Sequence, residues 1–307
     1  MNAAIYYTLF PLIWLLSLLP YTLLYLISDF FYFLVYYVIG YRKKVVRNNL
    51  ENSFPGLSVQ KYVEMEKKFY RHFCDVILET LKLINISENS IKKRCPFSQQ
   101  ATELFNTLYD SNKQVIIAMG HYGNWEMAGV SMNCNFNYRV QVVYKPLKNK
   151  YFDSLIYGLR SRFGAVPVPM NIILKELFQK KEELAVTAFI ADQSPSPDHA
   201  QWLNFLHQET PVFTGVEKIA TKLNYPVVFA SVRKIKRGFY ETDVKLLTDN
   251  PSQHKPGEIT SLFMNALQDE IIRAPEFWLW SHKRWKHKRK SLLKTEQSNT
   301  QLSSGLM

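Results

Sequence analysis

Hydrophobic positions are spread unevenly along this 307-residue chain. From Met1 to Tyr41 one charged residue, Asp29, interrupts a run dominated by Leu, Ile, Tyr and Phe. A single straight helix of that length would run roughly 50 Å, well beyond the ~30 Å hydrocarbon core of a bilayer. Pro11 and Pro20 break the run. The pattern therefore predicts a short apolar segment over 3–19 and a second apolar helix over 21–39, spanning or interfacial. Aromatics such as Tyr21, Tyr25, Phe30 and Tyr37 suit a headgroup zone. A secretory signal would need a basic start and a small-residue cleavage site, and neither is present. The alternative is a buried hairpin of a soluble core, but a soluble chain rarely opens this way.

Beyond residue 54 the periods change. Ser58 follows the turn signal Pro55-Gly56 and opens a helix to about Ile84, with Tyr62, Met65, Phe69, Phe73, Ile77 and Leu81 at helical spacing. Residues 85–98 read as loop and short helix. Val115–Met119, Arg139–Tyr144, Val166–Val168, Ala185–Ala191 and Pro226–Val232 read as strands. Helices are predicted over about 100–111, after Asn124, and over 150–162, 172–181 and 214–223. Tyr240–Leu246 alternates like an exposed or antiparallel strand, 256–273 reads as a helix, and 199–213 as irregular apolar chain. Alternating strands and helices predict an α/β fold: a mixed, largely parallel sheet flanked by helices. The expected organisation is a hydrophobic anchor over 1–41, one α/β domain over 42–290 and a disordered polar tail over 291–307.

Charge narrows the partners. The net charge is +12, which suits nucleic acid, an anionic membrane surface or an acidic protein. The basic run 282–290 carries no nucleic-acid motif, and the apolar start places it at a membrane, so nucleic acid is disfavoured. Arg42, Lys43, Lys44 and Arg47 directly follow the apolar run. They put the rest of the chain on the cytoplasmic side and attract anionic headgroups. Cys74, Cys95 and Cys134 lack metal-ligand spacing, and an odd count argues for a reducing compartment.

In a parallel sheet, polar residues at the C-terminal strand ends gather at one rim. His121, Lys145 and Asp192 each follow a predicted strand. The stretch Gly120-His121-Tyr122-Gly123-Asn124-Trp125-Glu126 also carries a carboxylate five residues past the histidine. Neutral imidazole can take a proton from an alcohol, and a carboxylate can fix its tautomer and stabilise the imidazolium. Five residues is a poor spacing on one helix, so the pair needs a bend, for which Gly120 and Gly123 supply freedom. Asn124 is a suitable N-cap. One His and one Glu fall short of the three protein ligands of a catalytic zinc site, so neither metal nor cofactor is expected. Trp278 and Trp280 read as packing or interface anchors, and His282 and His287 as members of a solvated basic patch.

The His-x4-acid spacing inside Gly-His-Tyr-Gly-Asn-Trp-Glu resembles the signature of the lysophospholipid acyltransferase superfamily. Its Gly-Asn-Trp-Glu ending is most similar to the branch containing the bacterial lipid A late acyltransferases. Further blocks resemble that branch in order: 42–50 with Ser53-Phe54-Pro55, Tyr144-Lys145-Pro146-Leu147-Lys148-Asn149, Arg162-Phe163-Gly164, Asp192-Gln193, Thr214-Gly215, and 276–280 with 283–286. The resemblance implies a glycerolipid acyltransferase-like fold and transfer of a fatty acyl chain from a carrier thioester, with acyl carrier protein as donor, to a hydroxyl of a lipid A precursor. It implies His121 and Glu126 as catalytic residues, with Glu126 orienting His121, and Lys145, Arg162 and Asp192 in substrate binding. It places the enzyme at the inner membrane with its catalytic domain on the cytoplasmic face. Lys145 stands where the family more often has Arg, which keeps the charge and loses the bidentate fork. The loop 194–213 lacks the family's common Gly/Pro pattern, which leaves the acceptor open. Another glycolipid or aminolipid acceptor, or a non-catalytic membrane-tethered lipid-binding protein, are the alternatives.

Overall fold

The computed structural model describes residues 3–180 and 182–289; the tail expected to be disordered lies outside them. The N-terminal region is α1 (Ala3–Leu18), α2 (Tyr21–Phe33) continued by a π-helical stretch Leu34–Ile39, α3 (Lys43–Ser53), α4 (Val59–Lys82), α5 (Glu88–Arg94) and α6 (Gln99–Asp110). Strands and helices then alternate through β1 (Val115–Met119), α7 (Trp125–Asn135), β2 (Arg139–Tyr144), α8 (Lys150–Arg160), β3 (Val166–Pro169), α9 (Ile173–Gln179) and β4 (Ala185–Ile190). The remaining elements are β5 (Gln201–Phe205), β6 (Gln208–Val212), α10 (Gly215–Leu223), β7 (Val227–Lys236), β8 (Phe239–Thr248) and α11 (Glu258–Arg273).

The main sheet has the order β3-β2-β4-β1-β7-β8. Its first five strands are parallel and β8 is antiparallel to β7, so the α/β architecture is as expected. β1 lies in the interior of the sheet and all five of its residues are buried. Its alternation splits the core: Ile116 and Ala118 pack with Phe263, Met264 and Leu267 of α11, while Val115, Ile117 and Met119 pack with Phe105 and Met127 on the other face. A strand buried on both faces reads as an unbroken apolar run, which is why it was visible in the sequence.

Two expectations change. Residues 199–213 are not irregular; β5 and β6 form an antiparallel hairpin. Its two-residue turn, Leu206-His207, has both φ values positive, at 50° and 64°. Such turns normally announce themselves by Asn-Gly. Here burial replaces the local signal: Leu206 is 2% exposed and its N–H donates to Gln268 Oε1 at 2.6 Å. The second change is the buried face of α4. Ile77, placed on its apolar stripe, is 45% exposed, whereas Glu66, Asp75 and Glu79 are buried. The cause is α2, which packs on that acidic side. Tyr25 donates to Glu79 (2.8 Å), Ser28 to Asp75 (2.8 Å) and Tyr36 to Glu66 (3.2 Å). Arg47 pairs with Glu66, and Lys234 and Arg237 pair with Asp75, so those two charges are compensated. Burial raises the Glu79 carboxyl, which is held by hydrogen bonds from Tyr25 and Tyr240.

Along α2 and its continuation, Leu24, Ser28, Tyr32 and Tyr36 are buried four residues apart, while Leu23, Leu26, Phe30, Phe33, Val38 and Ile39 are exposed. The 19 residues Tyr21–Ile39 are long and apolar enough to cross a membrane.

Candidate active site

The sheet register builds the site. In the parallel pair β1–β4, Met119 is level with Ile190. Two residues further on, both strands have left the ladder, and His121 and Asp192 emerge side by side from the C-terminal rim. His121 Nδ1 lies 2.6 Å from Asp192 Oδ1, and the His121 backbone N–H donates to Asp192 Oδ2 at 2.8 Å. The indole N–H of Trp278 donates to the same Oδ2 at 2.8 Å. Asp192 is only 2% exposed. Burial alone would raise its carboxyl, but the His121 charge and the hydrogen bonds from His121 and Trp278 outweigh it and hold Asp192 down at about 2. An ionised Asp192 requires the proton on Nδ1, which leaves Nε2 as the basic nitrogen. Nε2 faces the Gln193 amide at 3.3 Å, and the ring stands edge-on to Trp125 with centroids 5.1 Å apart.

The turn that carries His121 is held from three sides. The segment 277–279 runs along it, with Gly123 N–H donating to Phe277 O (3.0 Å), Leu279 N–H donating to His121 O (3.1 Å), and Tyr122 bridged to Trp278. Buried His72 donates from Nε2 to Gly123 O at 3.1 Å. Burial, then nearby Lys234, push this imidazole down to about 3, so it is neutral. Asn124 caps α7 through Met127 N–H (3.0 Å) and donates its amide to buried Glu79 (2.7 Å). Gly123 is obligatory, and Gly120 is closely packed. At Gly123, φ is +63° and a Cβ would fall 2.0 Å from Val232 O; at Gly120 it would fall 2.7 Å from Leu267 Cδ1 and 3.2 Å from Asp192 Oδ2.

The carboxylate on His121 is thus Asp192, not Glu126. Glu126 enters the first turn of α7 and pairs with Arg160 of α8, which donates from Nε at 3.0 Å and again from Nη2. Five residues of separation do carry Glu126 away from the ring, whereas the neighbouring parallel strand brings Asp192 to it. Lys145 is exposed at the end of β2, two strand spacings or roughly 10 Å from β1. Arg162 is not gathered at this rim. It precedes β3, at the opposite edge, and its guanidinium is committed to the carbonyls of Ile84 and Ile86.

Residues 2–287 match the family model described as bacterial lipid A biosynthesis acyltransferase. The chain belongs to that family. It is therefore an acyltransferase. Among curated relatives it is similar to the lipid A biosynthesis palmitoleoyltransferase of Escherichia coli (strain K12) and to a lipid A biosynthesis acyltransferase of Shigella flexneri. Each is 22% identical over 277 residues, covering 89% of this chain and 88% of the relative.

In this acyltransferase several site residues escaped the sequence reading. Arg160 and His72 carry no motif signal, and Gln193 enters it only as part of the Asp192-Gln193 block. Trp278, read as packing, is 3% exposed and also fixes Asp192. His282 is not part of a solvated patch. It accepts the Ser194 N–H at 3.4 Å, and burial together with nearby cations pushes it down to about 4. Among the described residues no three His, Cys, Asp or Glu side chains converge as a metal ligand set.

Proposed function

We propose that the enzyme transfers a fatty acyl chain from an acyl carrier protein thioester to a hydroxyl of a lipid A precursor, at the cytoplasmic face of the inner membrane, with 1–41 as its anchor. The observation that carries this reading is the His121–Asp192 pair, at the rim of a parallel sheet, with Nε2 left unprotonated and able to take a proton.

In the proposed reaction the acceptor hydroxyl displaces the Gln193 amide from Nε2. Nε2 takes the hydroxyl proton as the oxygen attacks the thioester carbonyl, and Asp192 stabilises the imidazolium that forms. The tetrahedral oxyanion collapses, the C–S bond breaks, and Nε2–H gives its proton to the leaving thiolate. Gly123 N–H is spent on Phe277 O, so it does not serve the oxyanion. The N–H groups of Trp125 and Glu126, in the first turn of α7, have no intrahelical partner and are the proposed donors. Glu126 acts with Arg160 by fixing the start of α7, and hence Trp125 against the imidazole. Lys145 is assigned to substrate charge at the rim rather than to the oxyanion.

The surface supports a lipid substrate. Leu147, Met170 and Ile172, in the loops after β2 and β3, are exposed on the rim that carries His121. Tyr6 of α1 stacks on Tyr151 at the start of α8 at 5.4 Å, so the apolar outer face of α1 meets this rim. Apolar exposure on that scale marks a membrane or ligand surface.

With His121→Ala the protein should remain in the membrane fraction, while the host's lipid A lacks one acyl chain by mass spectrometry. An unchanged lipid profile, in a strain without redundant enzymes, would overturn the proposal.

A further inference from the structure

A second concavity lies behind the active-site rim. It is a cleft of about 670 Å³ between α3, the β5–β6 turn and the segment 283–289. Its cations are Lys283, Lys286, Lys288 and Arg289. One carboxylate, Glu209, faces Arg289 at 3.4 Å. Among the described residues the three lysines have no acidic partner. Amides of Asn48, Asn52 and Gln208 and the indole of Trp285 line the rest.

The walls are fixed in advance. Asn49 of α3 donates to the carbonyls of Trp280 (2.8 Å) and His282 (3.0 Å), and Arg42 donates to Ser281 O (3.0 Å). Trp285 donates to Thr210 Oγ1 at 2.7 Å, and Gln208 to Ser53 Oγ at 3.2 Å. Arg284, between cleft and site, is 1% exposed with Nε and Nη2 unpartnered among the described residues, so it is a buried cation without full compensation. The segment has two working sides. Trp278 and His282 hold Asp192 and the Ser194 backbone, while Lys283, Trp285 and Lys286 face the cleft. Ser194, two residues after Asp192, donates to His282 Nε2 and to the Arg284 carbonyl, so site and cleft are close neighbours.

Resting on the lipid A-type acceptor proposed above, we infer that this cleft takes the phosphorylated sugar headgroup of the acceptor. Cations recognise phosphate by charge-assisted hydrogen bonds. Side-chain amides match sugar hydroxyls, and an indole offers an apolar plane for a sugar face. An acidic carrier protein would meet cations on an open face and would have no use for three amides in a cleft. In the chain, α3, which forms one wall of the cleft, follows the exposed apolar Val38 and Ile39 after three intervening residues, where the proposed anchor would meet the headgroup zone. A headgroup held there presents its acyl-chain hydroxyl across the 282–284 segment to His121.

The test uses the full-length enzyme and the variant K283A/K286A/K288A, with the thermal transition checked first. The probe is a soluble phosphorylated amino-sugar disaccharide without acyl chains, titrated calorimetrically. The wild type should bind it, compete it against acceptor and not against donor, and lose affinity with salt. The variant should bind at least about tenfold more weakly. In transfer assays the ratio of kcat/KM for phosphorylated over phosphatase-treated acceptor should fall by a similar factor. Equal binding by both proteins would overturn the inference. So would a variant whose only change is a raised KM for acyl carrier protein, which would make the cleft a carrier dock. A wild type that transfers acyl chains without discriminating phosphate defeats the cleft alone. A wild type that binds the disaccharide and acylates neither acceptor defeats the acceptor reading and leaves the binding site standing.

Discussion

Asp192→Asn tests the centre of the mechanism, because three N–H donors converge on that carboxylate. Two of them, His121 N–H and Trp278 Nε1–H, share Oδ2 at 2.8 Å, and His121 Nδ1–H meets Oδ1 at 2.6 Å. An asparagine has one acceptor oxygen. Placed at the Oδ2 position it keeps two donors and turns its NH2 on Nδ1. The ring proton must then move to Nε2, the atom that has to be empty. The opposite rotamer keeps Nδ1–H and faces two buried donors with an NH2, at a cost of about 1–3 kcal/mol for each. The working tautomer therefore lies at least ~2 kcal/mol higher, a depletion of about thirtyfold. The imidazolium also loses its anion. The fall of Asp192 from its ordinary 3.8 to about 2, net of burial, is about 2–3 kcal/mol shared between the His121 charge and the hydrogen bonds from His121 and Trp278. Since the hydrogen bonds enter both figures, kcat should fall by on the order of 10²–10³. The assay is steady-state transfer from a thioester donor, with the His ring tautomer read by nitrogen NMR. Because the folded pKa is depressed, the wild type gains this stability in full above pH ~4 and loses it as the pH falls through about 2, and the Asn variant lacks it. A folded Asp192→Asn enzyme with kcat within tenfold of the wild type would refute the assignment of Asp192.

Three further outcomes rest on the geometry. His72 is neutral in the fold and protonates freely when unfolded, so unfolding takes up a proton and stability should fall by about 1.4 kcal/mol per pH unit below about 6.5, down to about 3. His72→Gln, which retains a donor for Gly123 O, should flatten that slope between pH 6.5 and 5 in chemical denaturation; an unchanged slope would exclude His72 as its source. Gly123→Ala forces a Cβ onto Val232 O and should cost about 2–4 kcal/mol and nearly all activity, seen as a lowered Tm beside a transfer assay. In a double-mutant cycle on kcat/KM, Glu126→Gln and Arg160→Met should couple by about 1–3 kcal/mol. Strict additivity would mean that the pair does not act as a unit.

The legible parts of this protein are those written in local patterns. β1 was readable because a strand covered on both faces needs five consecutive apolar residues. The turn after it was readable because Gly120, Gly123 and Asn124 answer to backbone geometry and capping, which depend on near neighbours. The apolar N-terminal helices needed only composition. The illegible parts are those that depend on which segment lies alongside. The apolar stripe of α4 placed Ile77 inward, and the burial of Glu66, Asp75 and Glu79 became visible only with α2 against them. The β5–β6 turn carries no turn residue, because Gln268 and the core hold Leu206 where local propensity would not.

The proposed catalytic pairing divides in the same way. Chain spacing put His121 beside a carboxylate but proposed Glu126, the one nearer in sequence. Strand order decided otherwise: β4 lies directly against β1, and the register brings Asp192 beside His121 at a sequence separation of 71. The residue types and the rim were legible in the sequence, since they follow from hydrophobic period and from the polar residues that end the strands. The identity of the partner was settled by tertiary structure, since inter-strand hydrogen bonding is a long-range choice that no local pattern encodes.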